Sequence, residues 1–520
     1  MSTSFYLRAG ASACLLTLSA CAVGPNYHLT DTPVPNASFS KDGIDHGNPQ
    51  ATPSRPVEQA FDPAWWELFN DPALVALERE ALAVNLDLQA AAARVAQSRA
   101  ALQVSGAALL PSVSAGASRL RERASDKGIL ALTGTSAPVS ATAANGADPF
   151  GTGSLPGESG SAPYSLWQYG LDASWELDLW GRARRMKESA VAQMDAARFD
   201  VEAVRVSMTA ELARIYLELR GVQNDLRIAR SNAEIATKSL HVADRRREQG
   251  VATEFDTSVS AAHLASFEAA IPELEQRRAA LMNALALLLA KPPHALDAQL
   301  STVDEMPRLP ARVPVGLPSE LARRRPDILR AEAQLHAATA AIGVAKADFY
   351  PSVSLTGSFG FQSLSLGQLG DWGARQFAAG PVLHLPIFEG GRLAGNLALT
   401  EARQQEAAIS YQRTVLAAWH EVDNALTAYR TVQQRAEKLG AAVDQNRKAL
   451  EHAERRYAQG AADYLNVLVT QQRLLDSENA ASRGRTDMAL AMVTLYRTLG
   501  GGWDPKQRQA ADGQSVSATR

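Results

Sequence analysis

The sequence predicts a mainly α-helical chain that also carries amphipathic membrane β-strands, arranged as a duplicated unit of one strand pair and one long coiled-coil hairpin. Three observations predict this. The chain repeats itself, each copy contains stretches of strict apolar–polar alternation, and each copy then runs through a very long helix that ends at a Gln-Gly pair. Internal repeats constrain the architecture before any single element does.

The repeat is read directly. Leu110-Pro111-Ser112-Val113-Ser114 resembles Tyr350-Pro351-Ser352-Val353-Ser354, 240 positions on. Gly181-Arg182 matches Gly391-Arg392 and Gln249-Gly250 matches Gln459-Gly460, each 210 positions on. The extra length in the first copy falls in the Gly/Ser/Ala/Pro-rich stretch of about residues 124–163, a surface loop. The chain therefore divides into a first repeat at 64–300 and a second at 301–503, followed by a flexible tail at 504–520.

The N-terminus reads as a targeting signal. Arg8 precedes the short apolar stretch Ala9 to Leu18, too short to span a bilayer as a mature helix. Leu18-Ser19-Ala20-Cys21 then offers small residues before a Cys, the context of lipoprotein processing. Residues 1–20 are expected to be the signal peptide, and Cys21 to carry S-diacylglycerol and an N-palmitoyl chain. An ordinary signal peptide that contains Cys is the alternative. Ala22 rather than Asp after the Cys favours the outer membrane and an anchor in its lipid. The Pro-, Asn- and Ser-rich residues 21–63 read as an anchor followed by an extended tether.

Within each copy a helix ends at Pro111 or Pro351, and a strand follows at about 111–122 or 351–362. The return strands are expected at about 164–180 and 376–388, the second kinked at Pro386. Leu171, Ala173, Trp175, Leu177 and Leu179 alternate with Asp172, Ser174, Glu176 and Asp178, giving one apolar and one polar face. Such alternation fits a half-buried strand of a soluble sandwich or a membrane barrel; the lipoprotein signal weighs towards the membrane.

The hairpins occupy 182–290 and 392–500. From Arg182 to Gln249 there is no Pro and a single Gly, Gly221; at 1.5 Å per residue such a helix is on the order of 100 Å long. Leu212, Ile215, Leu219, Val222 and Leu226 begin a heptad seam, and Val422, Ala425, Tyr429 and Val432 begin its counterpart, which Asn446 interrupts. Gly250 and Gly460 mark the hairpin turns, since Gly is the usual residue just past a helix end.

Composition excludes several classes. A formal charge of −3 from 52 Lys+Arg and 55 Asp+Glu offers no basic footprint for nucleic acid. The only cysteines are Cys14 and Cys21, so the body has no disulfide. The nine His are scattered, with no His-Glu-x-x-His pair and no Gly-x-Ser-x-Gly elbow, so neither an enzyme, a metal site nor a cofactor is expected. Arg323-Arg324-Arg325 reads as a basic turn before a Pro-initiated helix. Four amphipathic strands leave two bare edges, which a bilayer does not tolerate, so a barrel requires several copies of the chain.

A family resemblance covers residues 21 to 503. Leu321-Ala322-Arg323-Arg324-Arg325-Pro326-Asp327-Ile328, Phe349-Tyr350-Pro351, Leu355-Thr356-Gly357, Trp65-Trp66, Asp71-Pro72 and Leu499-Gly500-Gly501-Gly502-Trp503 resemble outer-membrane efflux proteins of the TolC/OprM kind, in the lipidated branch used in drug and toxic-compound export. The resemblance implies a homotrimer with a 12-stranded β-barrel continued by an α-helical barrel. It also implies a periplasmic adaptor, an inner-membrane efflux pump and a passive conduit for small toxic compounds. Protein secretion of the type I kind and a non-spanning periplasmic coiled-coil lipoprotein are the alternatives. Arg456, Tyr457 and Leu465 match positions that hold the family's periplasmic gate closed; ordinary hairpin-tip packing is the other reading of Tyr457 and Leu465. Val469 and Gln472 stand where the family has an acidic residue and an Arg, with Arg473 one place off and Asp463 and Asn466 nearby.

Overall fold

The computed structural model describes residues 22–28, 55–57, 63–123, 163–301, 306–307, 309–315 and 324–504. The expected signal peptide, Cys21, the loop at about 124–163 (except residue 163) and the tail beyond residue 504 lie outside the described residues. In chain order the elements are β1 (Arg55–Val57), α1 (Pro72–Val84), α2 (Leu86–Ala107), β2 (Ser112–Glu122), β3 (Tyr164–Leu177), α3 (Arg182–Glu248), α4 (Glu254–Leu288) and α5 (Asp297–Leu300). They continue with β4 (Arg312–Pro314), α6 (Pro326–Ala347), β5 (Ser352–Ser363), β6 (Arg375–His384), α7 (Arg392–Ala458) and α8 (Tyr464–Thr498).

Two compact units organise the chain. The first comprises Met1–Leu29, Gln97–Met194 and Ala333–Ala408. Its core element is an antiparallel sheet in the order β2-β3-β5-β6. Asp178 ends β3's approach to α3: its carboxylate accepts from the backbone N–H groups of Ala183 and Arg184 at 2.9 and 3.0 Å, satisfying donors that the first turn of a helix leaves bare. β6 ends at His384, so the expected strand to residue 388 is shortened. Pro386 has no N–H to extend the ladder, and Leu385 to Gly391 form a linker into α7 instead. The expected tether is not free along its whole length either. Ala22–His28 lie on this unit, with the Val23 N–H donating to the Trp180 carbonyl at 3.0 Å.

The second unit comprises Thr30–Ala96, Asp195–Glu332 and Ile409–Arg520. Here β1 pairs in parallel with β4, a strand inside the expected tether. Asp71 caps α1 through the N–H groups of Ala73 and Leu74, with Pro72 at the first helical position. Asn85 closes α1 and caps α2 in the same way, accepting from Asp87 and Leu88. The core gathers Trp65, Trp66, Phe69, Leu74 and Leu77 with Tyr496, whose ring stacks on Trp65 at 5.3 Å. Arg325 is buried between Asp327, Glu421 and the Thr498 carbonyl. Arg325 thus joins the start of α6 to the end of α8. On α3 the seam residues Leu212, Ile215, Leu219, Val222 and Leu226 are all buried; on α7 the seam is buried at Val422, Ala425 and Tyr429 and half-buried from Val432 onwards.

Candidate functional site

The sheet and the hairpin tips are the two regions with properties beyond packing. In the sheet, the pairing register aligns the alternation of all four strands. Val113, Ala115, Ala117 and Arg119 face Ala173, Leu171, Tyr169 and Trp167. Across β3, Trp175, Leu171 and Tyr169 pair with Leu355, Phe359 and Phe361. Leu355, Gly357, Phe359 and Phe361 pair in turn with Pro381, Ala379, Phe377 and Arg375. Because side chains alternate faces with period two, these residues share one side of the sheet. Ser114, Asp172, Ser174, Gln168, Ser358, Thr356 and Gln362 occupy the other side.

The apolar side is open: Leu171, Trp175, Leu355, Phe359 and Phe377 are exposed, Phe377 at 77%. Aromatic residues collect at both ends of it. At one end Tyr169 stacks on Phe361 at 5.2 Å, Arg119 lies over Trp167 and Arg375 over Trp372. At the other, Trp180 stacks on Tyr350 at 4.7 Å, and the Trp175 indole donates to the Leu109 carbonyl. The outer strands β2 and β6 each have one neighbour, so two ladder edges are unpaired among the described residues.

At the tips, both helices end in the same motif. The Val251 N–H donates to the Arg246 carbonyl and the Gly250 N–H to Arg247; Ala461 and Gly460 do the same to Arg456 and Tyr457. These are the paired bonds of a Schellman ending, which needs a left-handed residue, and Gly250 and Gly460 supply it at φ 74° and 69°. Thr253 and Asp256 then form a reciprocal capping box at the start of α4. Asp463 occupies the N-cap of α8 without a side-chain capping hydrogen bond to the helix.

The residues matched to a gate fall around this turn in different ways. Tyr457 is half-buried, its ring 5.1 Å from that of Tyr464. Arg456 turns back on its own loop, donating to the Ala461 carbonyl at 3.5 Å. Leu465 and Val469 are exposed, and Gln472 donates to Asp476 one turn along its own helix. Asn446 reaches across the hairpin to the Arg473 carbonyl at 3.5 Å, the cross-hairpin contact a register residue makes. Sequence reasoning missed Arg246. Its guanidinium lies 4.6 Å from the centre of the Tyr457 ring, joining the first hairpin to the second. The signal available was the run Arg245-Arg246-Arg247 in the last turn of α3, in repeat register with Arg456-Tyr457.

Among the described residues no cluster of His, Cys, Asp or Glu is arranged to hold a metal, and no helix is long and apolar enough to cross a membrane.

Comparison with known proteins places these features. The outer membrane protein OprJ of Pseudomonas aeruginosa is 32% identical over 95% of this chain and 96% of its own length. The pyoverdine export outer membrane protein OpmQ of Pseudomonas putida is also 32% identical, over 87% of this chain and 91% of its own. The solved outer-membrane channel OprN superposes with a TM-score of 0.80 at 32% identity, covering 93% of this chain and 100% of that one. The open-state outer membrane channel MtrE of Neisseria gonorrhoeae gives 0.72 at 28% identity, covering 93% and 98%. The sequence profile described as outer membrane efflux protein matches residues 77–291 and 317–501, one match per repeat, and the chain belongs to that family of outer-membrane channels, which are conduits and not enzymes.

Proposed function

We propose that this chain is the outer-membrane subunit of a tripartite efflux assembly, a passive duct through which small toxic compounds leave the cell. The observation that carries this is the sheet. One continuous, exposed apolar face crosses four strands in register, and among the described residues it ends at two unpaired edges. From Trp167 to Leu177 the face runs about 33 Å at ~3.3 Å per residue, which a tilt of about 40° turns into ~25 Å of bilayer, the height of the apolar band of a membrane barrel. Edges in lipid must be paired. Three copies, joined β6 to β2, close a 12-stranded barrel, with the α-helical hairpins forming the tube beyond it.

The polar face of Ser, Thr, Gln and Asp then lines the lumen. A lining of small polar groups solvates many solutes and selects few, so selectivity belongs to an inner-membrane efflux pump reached through a periplasmic adaptor. The pyoverdine export named for the relative OpmQ supports that reading. Cys21 is the acylated anchor in outer-membrane lipid, and Tyr457 and Leu465, with Arg456 shaping the turn, hold the periplasmic end closed. Arg246 adds the partner that sequence matching did not supply.

Deleting the gene and measuring sensitivity to a panel of antimicrobials and solvents tests the function. Hypersensitivity restored by the wild-type copy is expected. Unchanged sensitivity together with loss of a secreted protein would replace efflux with protein secretion.

A further inference from the structure

The residues just after Cys21 are held in a purpose-built cleft. Arg185 is 4% exposed, and its guanidinium donates to the Val23 and Gly24 carbonyls at 3.4 Å each and to Asn26 Oδ1 at 2.7 Å. Its remaining nitrogen, Nη1, pairs with Glu188 at 2.8 Å. Glu188 also meets His336 Nε2 at 3.1 Å, and the His336 ring stacks on Tyr27 at 4.5 Å. The strap is thus gripped at both ends by one connected set of groups. Its middle passes against bare backbone. A Cβ on Gly24, which sits at φ 98°, would stand 2.5 Å from the Gly343 α-carbon, and a Cβ on Gly343 would stand 2.8 Å from Arg185 Cγ. Ala22 packs on Gly181, where a Cβ would come within 2.8 Å of it.

The duplication provides an internal control. In the second hairpin the positions corresponding to Arg185 and Glu188 are Gly395 and Ala398; in the first repeat those corresponding to His336 and Gly343 are Ala96 and Gln103. Around Gly391 and Gly395 an added Cβ would meet nothing within 4 Å among the described residues. Of two places related by the repeat, only one carries the guanidinium, the carboxylate, the imidazole and the glycine.

We propose that this cleft is a receptor for the chain's own N-terminal peptide, and that it sets where the acyl chains on Cys21 enter the bilayer. The α-carbon of Cys21 lies within one peptide unit, ~3.8 Å, of that of Ala22. Ala22 in turn sits beside the Trp180–Tyr350 aromatic rim of the sheet. Ala22, to which Cys21 is bonded, is therefore held at the rim of the apolar face at one fixed azimuth per protomer. The peptide half of the proposal stands on the contacts alone; the lipid half rests on the acylation of Cys21.

Hydrogen–deuterium exchange on the full mature protein in detergent tests it, comparing wild type, Arg185→Gln, Arg185→Lys and Gly24→Ala. A Cys21→Ser chain, exported by a non-lipoprotein signal peptide, isolates the lipid. The peptide containing the Val23 amide is expected to exchange slowly in wild type and in Cys21→Ser. It should exchange at least tenfold faster in Arg185→Gln and Gly24→Ala, with Arg185→Lys in between and the helical core unchanged. Gly24→Ala alters only the strap, so a folding defect at Arg185 does not blunt the test. Unchanged exchange in both Arg185→Gln and Gly24→Ala overturns the receptor. So does protection lost in Cys21→Ser with Arg185 intact, since the lipid would then be holding the strap. The mass of the wild-type N-terminal peptide separates the two halves: an unacylated Cys21 removes the anchor while leaving the peptide site standing.

Discussion

Arg246 of the first hairpin lies over the ring of Tyr457 of the second, 4.6 Å from its centre. The two residues end the last turns of α3 and α7 and are one position apart in repeat register. A cation over an aromatic face at an exposed site contributes ~0.5–1 kcal/mol. That is enough to bias a tip between two positions and weak enough to be released.

If this contact holds the gate, Arg246→Ala and Tyr457→Ala should each shift the closed-to-open ratio about two- to fivefold per protomer. The double variant should go no further than the stronger single one. Single-channel conductance in planar bilayers reads the shift, and uptake of a large antibiotic reads it in cells. Additive effects of the two substitutions would show that the residues act on the tip separately.

Phe377 and Ala378 are neighbours on β6 with opposite surroundings. Phe377 pairs with Phe359 on the apolar face and Ala378 pairs with Ser358 on the polar one. Arg at position 377 should lower the stability of the inserted barrel by ~2–4 kcal/mol, the cost of a cation on a lipid-facing strand near mid-bilayer. Arg at position 378 should leave insertion intact and alter ion selectivity instead. Heat-modifiable mobility of the trimer and reversal potentials distinguish these outcomes. Equal tolerance at both positions would remove the lipid-facing assignment.

Gly221 allows α3 and α8 to touch. A Cβ there would meet Thr486 Oγ1 at 2.5 Å and Cγ2 at 3.0 Å. Beside it, Ser482 accepts from Asn224 and donates to Asp225. Gly221→Ala should destabilise the helical unit by about 1–3 kcal/mol through overpacking. Adding Thr486→Ala should recover most of that loss, because two of the three colliding atoms belong to the removed groups. Thermal unfolding followed by circular dichroism gives the coupling; a double variant no more stable than Gly221→Ala would place the strain elsewhere.

The sheet was legible because its information is local. Alternation in β3 and β5 states which residues share a face, and the register merely aligns faces already defined. Gly250 and Gly460 were legible for the same reason, as chain-terminating signals with a backbone cause. The strap was not. Ala22–His28 has the composition of a linker, and what holds it is a buried guanidinium more than 150 residues later in the chain, grasping carbonyls that carry no sequence signal. The Arg246–Tyr457 contact was hidden similarly, since neither hairpin alone reveals which side chain of the other it meets. The break between α1 and α2 could have been read from Asn85, an N-cap residue, before the apolar run that follows it.

Glu78 is fully buried on α1, and neither carboxylate oxygen has a hydrogen-bond partner among the described residues. Burial pushes its pKa well above the ordinary carboxylate range, so the folded chain keeps it protonated where the unfolded chain ionises it. The sign follows from proton counting. Below the unfolded pKa both states hold the proton and the group is neutral to stability. As pH rises through that value only the folded state still holds it, and stability falls until the folded pKa is reached. Glu78→Gln removes this titration. Between acid and neutral pH the variant should gain stability relative to wild type with increasing pH, and at pH 4 the difference should be small. Replacing Glu78 with Met removes the unsatisfied oxygens as well and should stabilise by about 1–3 kcal/mol at neutral pH. Urea unfolding of the detergent-solubilised protein at several pH values measures both differences. A Glu78→Gln variant whose advantage does not grow with pH would mean that Glu78 is ionised in the folded chain and has a charged partner.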